Sequence, residues 1–194
     1  MNLQKWRWVL SNEIISIQNL HTIVFDFDGV FTDNFVYVDD QGSESVRCSR
    51  ADSYGVTLLN DYIGSAEIKI DAFVLSTERN PLVVKRCEKM DIVCFSGVKK
   101  KAQYLEQWFL TNRPELPNPF SGTLYFGNDL NDLEVMQRVG ASFAPADAHP
   151  LIKKTATFTL STNGGQGFVR EGIELILVPP PTAQGELREF ISNS

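Results

Sequence analysis

The chain has 194 residues, 43% hydrophobic and 22% charged, which suits one sizeable soluble α/β domain, and its net charge of −6 argues against a general nucleic-acid binder. No apolar run reaches the ~18 residues of a membrane span, and the start, MNLQKWRWVLSNEI, offers no signal core with a cleavage site, so a cytoplasmic protein is expected. With only His21 and His149 as histidines, a multi-histidine metal site is not expected, and a bound metal would need oxygen ligands.

Residues 1–20 carry Trp6 and Trp8 and read as an N-terminal extension ahead of a domain over 21–178. Residues 22–27 are apolar and β-branched, as a central strand requires. FVYVDDQGSESVRC then gives two extended runs around Asp39-Asp40-Gln41-Gly42, a β-hairpin. Val56, Leu58, Leu59 and Tyr62 recur at helical spacing up to Gly64, and Ala72–Leu75 is a second strand. Asn80-Pro81 is a cap and first turn for a helix to about Met90, followed by a strand over Ile92–Phe95. Ala102, Leu105, Trp108 and Phe109 mark one face of the next helix. Thr123–Phe126 is a fourth strand, Leu130–Val139 a helix, Ala141–Ala144 and Thr157–Leu160 two more strands, and Phe168–Leu177 a last helix. The tail over 179–194 opens with three prolines and is expected to be mobile or docked on a partner. Cys48, Cys87 and Cys94 are odd in number and lack ligand spacing, so they read as reduced thiols filling core space. Strands alternating with helices predict a three-layer, Rossmann-like, doubly wound parallel sheet with a hairpin flap.

In such sheets ligands meet the carboxyl ends of the strands. Four predicted strands end in polar groups: Asp26 and Asp28; Ser76-Thr77-Glu78-Arg79; Gly97 with Lys99-Lys100-Lys101; and Gly127-Asn128-Asp129-Leu130-Asn131-Asp132. A carboxylate after a strand is often only a turn former or helix cap. Acids, a hydroxyl and a lysine converging on one rim are what phosphoryl transfer needs. A carboxylate can attack phosphorus, Mg²⁺ offsets the repulsion between two anions, and a hydroxyl and a lysine hold the phosphoryl oxygens. A second acid protonates the leaving alcohol and then activates water.

Four segments resemble, in order and spacing, the motifs of the haloacid dehalogenase superfamily: DFDGVFTD, LSTERN, GVKKK and GNDLND. The resemblance runs from about residue 22 to 177. It implies Asp26 as nucleophile and Mg²⁺ ligand, and Asp28 as general acid/base that also lends a backbone carbonyl to the metal. It implies Ser76 and Lys101 as phosphate ligands, Lys101 being chosen among three lysines by its spacing from Gly97. Asn128 stands where many relatives carry a metal-binding aspartate. Asp129 and Asp132 would then orient metal waters or ligands, with direct coordination by Asp129 as an alternative. VRCSRADSYGV, PADAHP and GGQGFVRE further resemble the capless branch that hydrolyses ulosonate phosphates. Between Asp33 and Ser49 there is room for a hairpin and for no separate cap domain. Members of this branch form tetramers in which a neighbour covers the site, so a homotetramer acting on a small sugar acid phosphate is implied.

Thr77-Glu78 replaces the Gly-Arg common in octulosonate phosphatases, and with Lys89 it points to a nine-carbon 2-keto sugar acid 9-phosphate; the alternatives are an octulosonate 8-phosphate and, for Glu78, a plain cap of the following helix. Arg50 and Arg79 are candidates for the substrate carboxylate, or else surface ion pairs. The resemblance also implies that Gly164-Gly165-Gln166-Gly167 and Arg170 help close the pocket and meet the sugar acid; the alternative for the glycine run is a plain flexible turn. A weakly active oligomerisation module beside a sialic-acid-activating cytidylyltransferase is the competing reading, suggested by Asn128. A receiver domain is disfavoured, because Asp28 would shorten the life of its phosphoaspartate.

Overall fold

The computed structural model describes residues 8–10, 13–15, 20–65 and 69–177. Trp6 and the proline-led tail lie outside the described residues.

In the extension, β1 (Trp8–Leu10) pairs antiparallel with β2 (Glu13–Ile15), where the sequence suggested no element. The first core strand, β3 (Thr22–Phe25), is buried along its whole length. The flap follows as β4 (Thr32–Val38) and β5 (Glu44–Cys48), its turn fixed by Asp39 Oδ1, which accepts the Gln41 and Ser43 N–H groups at 3.0 and 2.7 Å. Ser49 Oγ accepts the Ala51 N–H at 3.0 Å and starts α1 (Arg50–Ser65). Next come β6 (Asp71–Leu75) and α2 (Pro81–Lys89), the latter opened as expected by Asn80, whose side chain accepts the Leu82 N–H. β7 (Val93–Phe95) leads to α3 (Lys101–Asn112) and β8 (Thr123–Phe126).

The helix expected over Leu130–Val139 is a 3-10 turn (Leu130–Asp132) and one short α-helical turn, α4 (Leu133–Met136). Asp129 and Asp132 cap that turn reciprocally, which tightens the chain before an α-helix can run on. After β9 (Ala141–Ala144) comes α5 (Pro150–Thr155), absent from the sequence reading although His149-Pro150 repeats the cap-then-proline pattern of Asn80-Pro81. β10 (Phe158–Thr159) is shorter than expected, and α6 (Phe168–Leu177) has its expected bounds.

Six strands make one parallel sheet in the order β10-β9-β8-β3-β6-β7. Alternation along β3 and β8 sends Ile23, Phe25, Leu124 and Phe126 to one face, with residues of α1, α2 and α6, and Val24 and Tyr125 to the other, with α3, α4 and α5. The three layers match the expectation, and among the described residues the hairpin flap stands without a separate cap domain. Phe126 joins the first face together, with ring centroids 4.6 Å from Phe25, 5.1 Å from Phe143 and 5.6 Å from Phe168. Of the cysteines, Cys87 is buried as expected, while Cys48 and Cys94 are half-buried. Among the described residues no helix is long and apolar enough to cross a membrane.

Candidate active site

β3, β6 and β8 are adjacent parallel strands with β7 beside β6, so the four polar strand ends of the sequence fall on one rim. Asp26 follows β3 and is 3% exposed. Its Oδ1 accepts the Phe27 N–H at 2.8 Å and pairs with Lys101 Nζ at 2.7 Å. Of the three lysines, Lys99 and Lys100 are exposed and Lys101 is buried at the start of α3. Lys101 Nζ also donates to Asp132 Oδ1 at 2.7 Å. Burial and the nearby Asp132 push the Asp26 carboxyl up to about 7, against the opposing pull of Lys101. Burial alone would lower the Lys101 ammonium, but Asp26 and Asp132 outweigh it and raise it above its ordinary value.

The turn after β3 is drawn tight by Phe27 O, which accepts the N–H groups of Val30, Phe31 and Thr32. Gly29 sits there at φ +74°, against Asn128: a Cβ would lie 1.8 Å from the Asn128 Nδ2. Asp28 projects half-buried from this turn; burial first, and then the Glu78 charge, raise its carboxyl above the ordinary range, while a hydrogen bond with the Thr32 hydroxyl works the other way. Asn128 follows β8 and is 6% exposed, and its Oδ1 is buried with no hydrogen-bond partner among the described residues. An orphaned amide oxygen is costly unless a ligand meets it. Among the described residues no three Asp, Glu, His or Cys side chains form a metal cluster. A hard divalent cation would therefore draw on the Asp26 carboxylate, the Asn128 amide oxygen and a backbone carbonyl, a donor set of oxygens that fits Mg²⁺.

Ser76 follows β6, is fully buried, and accepts the Glu78 N–H on its Oγ at 3.0 Å. Glu78 Oε1 accepts the N–H groups of Arg79 (2.6 Å) and Asn80 (2.8 Å), so it does cap the entry to α2. It also lies within electrostatic reach of Asp28. Arg79 is exposed, with its stem against Gly97. Asp129 is exposed and Oδ1 accepts the Leu130 N–H at 2.7 Å, while Asp132 is fully buried. Asp132 Oδ2 accepts the Asn128 and Asp129 N–H groups while Oδ1 holds Lys101, so this side chain ties the loop after β8 to Lys101.

The glycine-rich loop is packed, not a free turn. Gly165 N–H donates to Val30 O at 2.9 Å, and a Cβ on Gly164 would meet Gly29 O at 2.0 Å, so this loop backs the turn that carries Asp28. Asp52, 1% exposed on α1, accepts the N–H groups of Gly167 (3.1 Å) and Arg170 (3.2 Å) and caps α6. Arg170 does not extend toward a ligand here: its Nε pairs with Glu174 at 2.7 Å and its guanidinium lies 5.3 Å from the Tyr54 ring centroid.

Arg50 and Lys89 line a cavity of about 770 Å³ between β5, α1 and α2, with Lys85, Arg86, Tyr54 and Cys48. Arg86 donates to Ser53 Oγ, yet its buried Nε has no partner among the described residues. Cys48 lies within electrostatic reach of both Arg86 and Asp28, so the cavity adjoins the rim. Sequence reasoning missed Asp52, Arg86 and Tyr125: an acid in a first helical turn, a cation on a helix and an aromatic in a core strand are each ordinary where they stand.

Comparison with known proteins gives three findings. Residues 101–171 match the family model of the haloacid dehalogenase-like hydrolases. The 3-deoxy-D-manno-octulosonate 8-phosphate phosphatase of Escherichia coli K12 is 32% identical over 193 residues, covering 96% of this chain and 92% of the relative. The same enzyme of Salmonella typhi is 31% identical over 191 residues, with the same coverage. Among solved structures, the Yersinia pestis octulosonate 8-phosphate phosphatase superposes with a TM-score of 0.74 at 28% identity, covering 95% of this chain and 96% of that one. A cobalt-bound deoxy-D-mannose-octulosonate 8-phosphate phosphatase from Haemophilus influenzae gives 0.71 at 29% identity, covering 87% and 91%.

Proposed function

The chain belongs to the haloacid dehalogenase-like hydrolases and is a phosphoric monoester hydrolase of the sugar-acid phosphatase kind, and from that premise we propose that it releases phosphate from a 2-keto-3-deoxy sugar acid phosphate. The observation that carries this reading is the buried Asp26–Lys101 pair on the same rim as an Asn128 oxygen that has no hydrogen-bond partner among the described residues. Asp26 and Asn128 hold Mg²⁺, which when bound screens the approach of two anions and polarises the phosphoryl group. Cobalt in the Haemophilus influenzae relative supports a divalent metal.

Asp26 attacks phosphorus through a carboxylate oxygen, and the ester bond to the sugar oxygen breaks as the aspartyl-phosphate forms. Asp28, whose carboxyl is raised above the ordinary range by burial and then by the Glu78 charge, gives its proton to the departing alkoxide. The same carboxylate then takes a proton from water, whose oxygen attacks the phosphoenzyme, freeing phosphate and restoring Asp26. The Ser76 hydroxyl and the Lys101 ammonium hold the phosphoryl oxygens. The sugar carboxylate is met by the basic cavity, where Arg86, Arg50 and Lys89 supply charge of one sign. The exposed run Phe35–Val38 on the flap supports a covering role in a neighbouring copy, and hence a tetramer.

The eight-carbon octulosonate 8-phosphate is the first choice of substrate, because relatives of that name align with nearly the whole chain and the Glu78 carboxylate is occupied as a helix cap. A nine-carbon nonulosonate 9-phosphate, the reading drawn from Glu78 and Lys89, is favoured by the reach of Glu78 to Asp28. One screen tests all of this: phosphate release, with Mg²⁺ and with a chelator, from eight- and nine-carbon ulosonate phosphates and from a neutral sugar phosphate. Release should depend on Mg²⁺, be strongest with an octulosonate 8-phosphate and weak with the neutral ester. No release from any ulosonate phosphate would return the chain to the module reading.

A further inference from the structure

Strand β8 is buried at every position, and Leu124 and Phe126 suit that setting better than Tyr125. Tyr125 is fully buried within the cluster formed by Val24, Phe73, Leu105, Phe109 and Val135, where a phenylalanine would fill nearly the same space. A phenol in such a place needs a partner, since an unmet hydroxyl in an apolar core is destabilising. Its partner is Asp132: the Tyr125 hydroxyl donates to Oδ1 at 2.6 Å, the length of a charge-assisted bond.

That same oxygen receives Lys101 Nζ at 2.7 Å, and Lys101 is simultaneously 2.7 Å from Asp26. One ammonium is thus divided between two buried carboxylates, and it must also reach the phosphoryl group. Asp132 is the competitor in that division. Oδ2 is already engaged by the Asn128 and Asp129 N–H groups at 2.9 and 3.3 Å. Without the phenol, Oδ1 would direct its whole charge at Lys101. With it, two donors share that oxygen, and the ammonium is held less tightly on the Asp132 side.

We propose that Tyr125 is a positioning residue for the reaction: acting through Asp132, it sets Lys101 between Asp26 and the incoming phosphoryl group and keeps its charge available there. Tyr125 touches neither substrate nor reacting atoms. The proposal rests on the phosphatase reading of the site and adds to it a member that none of the four motif roles includes.

The test is Tyr125→Phe, which removes one oxygen and keeps the ring. Turnover, KM, inhibition by orthovanadate with Mg²⁺, and melting temperature are measured on wild type and variant, using whichever sugar acid phosphate the wild type accepts. Loss of an outer partner of this kind costs about 10–100-fold, so kcat should fall and the vanadate inhibition constant should rise in that range. The melting point should move by only a few degrees. Asp132→Asn and the double variant complete a cycle, in which the double variant should be no worse than the poorer single, because both act on one lysine.

A purely structural role would leave kcat and vanadate inhibition of the folded protein within about twofold, whatever the melting point does, and that result overturns the proposal. Strict additivity in the cycle overturns it as well, by showing that Tyr125 does not act through Asp132. A wild type that releases no phosphate refutes the underlying reading. A working wild type whose kcat and vanadate inhibition are matched by Tyr125→Phe refutes this inference alone.

Discussion

Asp26 and Asp28 stand two positions apart in sequence and in different surroundings, and this difference supports the separate roles proposed for them. Asp26 is 3% exposed and bonded to Lys101, whereas Asp28 is half-buried beside Thr32 and Glu78. Asp26→Asn should abolish phosphate release, because an amide is no nucleophile here. Asp28→Asn should slow it by about 10²–10⁴-fold, the usual worth of general acid–base assistance. Both are read by steady-state kinetics beside circular dichroism, and a working Asp26→Asn protein would contradict the covalent step. The acids, the hydroxyl and the lysine were legible in sequence because each follows an apolar run that only a buried strand explains. The Asp132–Tyr125 bond was not, because nothing in a chain of letters separates a phenol that fills space from one that aims at a carboxylate.

Among elements, the turn after β3 depends most on one residue. Gly29 combines a positive φ with contact against Asn128, so Gly29→Ala meets both backbone strain and a clash. The variant should lose more than about 1 kcal/mol of stability and bind Mg²⁺ more weakly, measured by chemical unfolding and by calorimetric titration. Unchanged Mg²⁺ affinity would show that Asn128 is not a ligand. At the opposite end of β3, His21 is buried, and burial together with Arg113 lowers its pKa below 6.5. The unfolded chain therefore takes up this proton at a higher pH than the folded one. Acidification from about pH 6.5 downward favours the unfolded state, and His21→Gln should flatten that part of the stability–pH curve. Strand and helix cores followed their periodicity closely, since the sheet's two buried faces impose it. The segment after Asp129 did not, because side-chain caps rather than apolar spacing decide its geometry.

For the molecule as a whole, the sheet order explains why segments distant in sequence form one site: β8, β3 and β6 lie side by side, so their carboxyl ends share a rim. The flap leaves that rim with Phe35 67% and Val38 63% exposed. Light scattering should give a tetramer, and Phe35→Asp with Tyr37→Asp should yield smaller species of reduced activity; a wild-type monomer at micromolar concentration would remove the shared-site reading. The basic cavity was only half legible beforehand, since Arg50 and Lys89 are brought together with Arg86 by the approach of α2 to α1 and β5, which no local pattern encodes. One bond reaches further still: Asp52 caps a helix whose first turn lies 118 positions downstream. A ribosome making this chain thus delivers Asp26 and Asp28 early and α6 well after them. Until the glycine loop and α6 have emerged, the turn holding Asp28 lacks that seat, and phosphate release should switch on with α6 instead of growing with chain length.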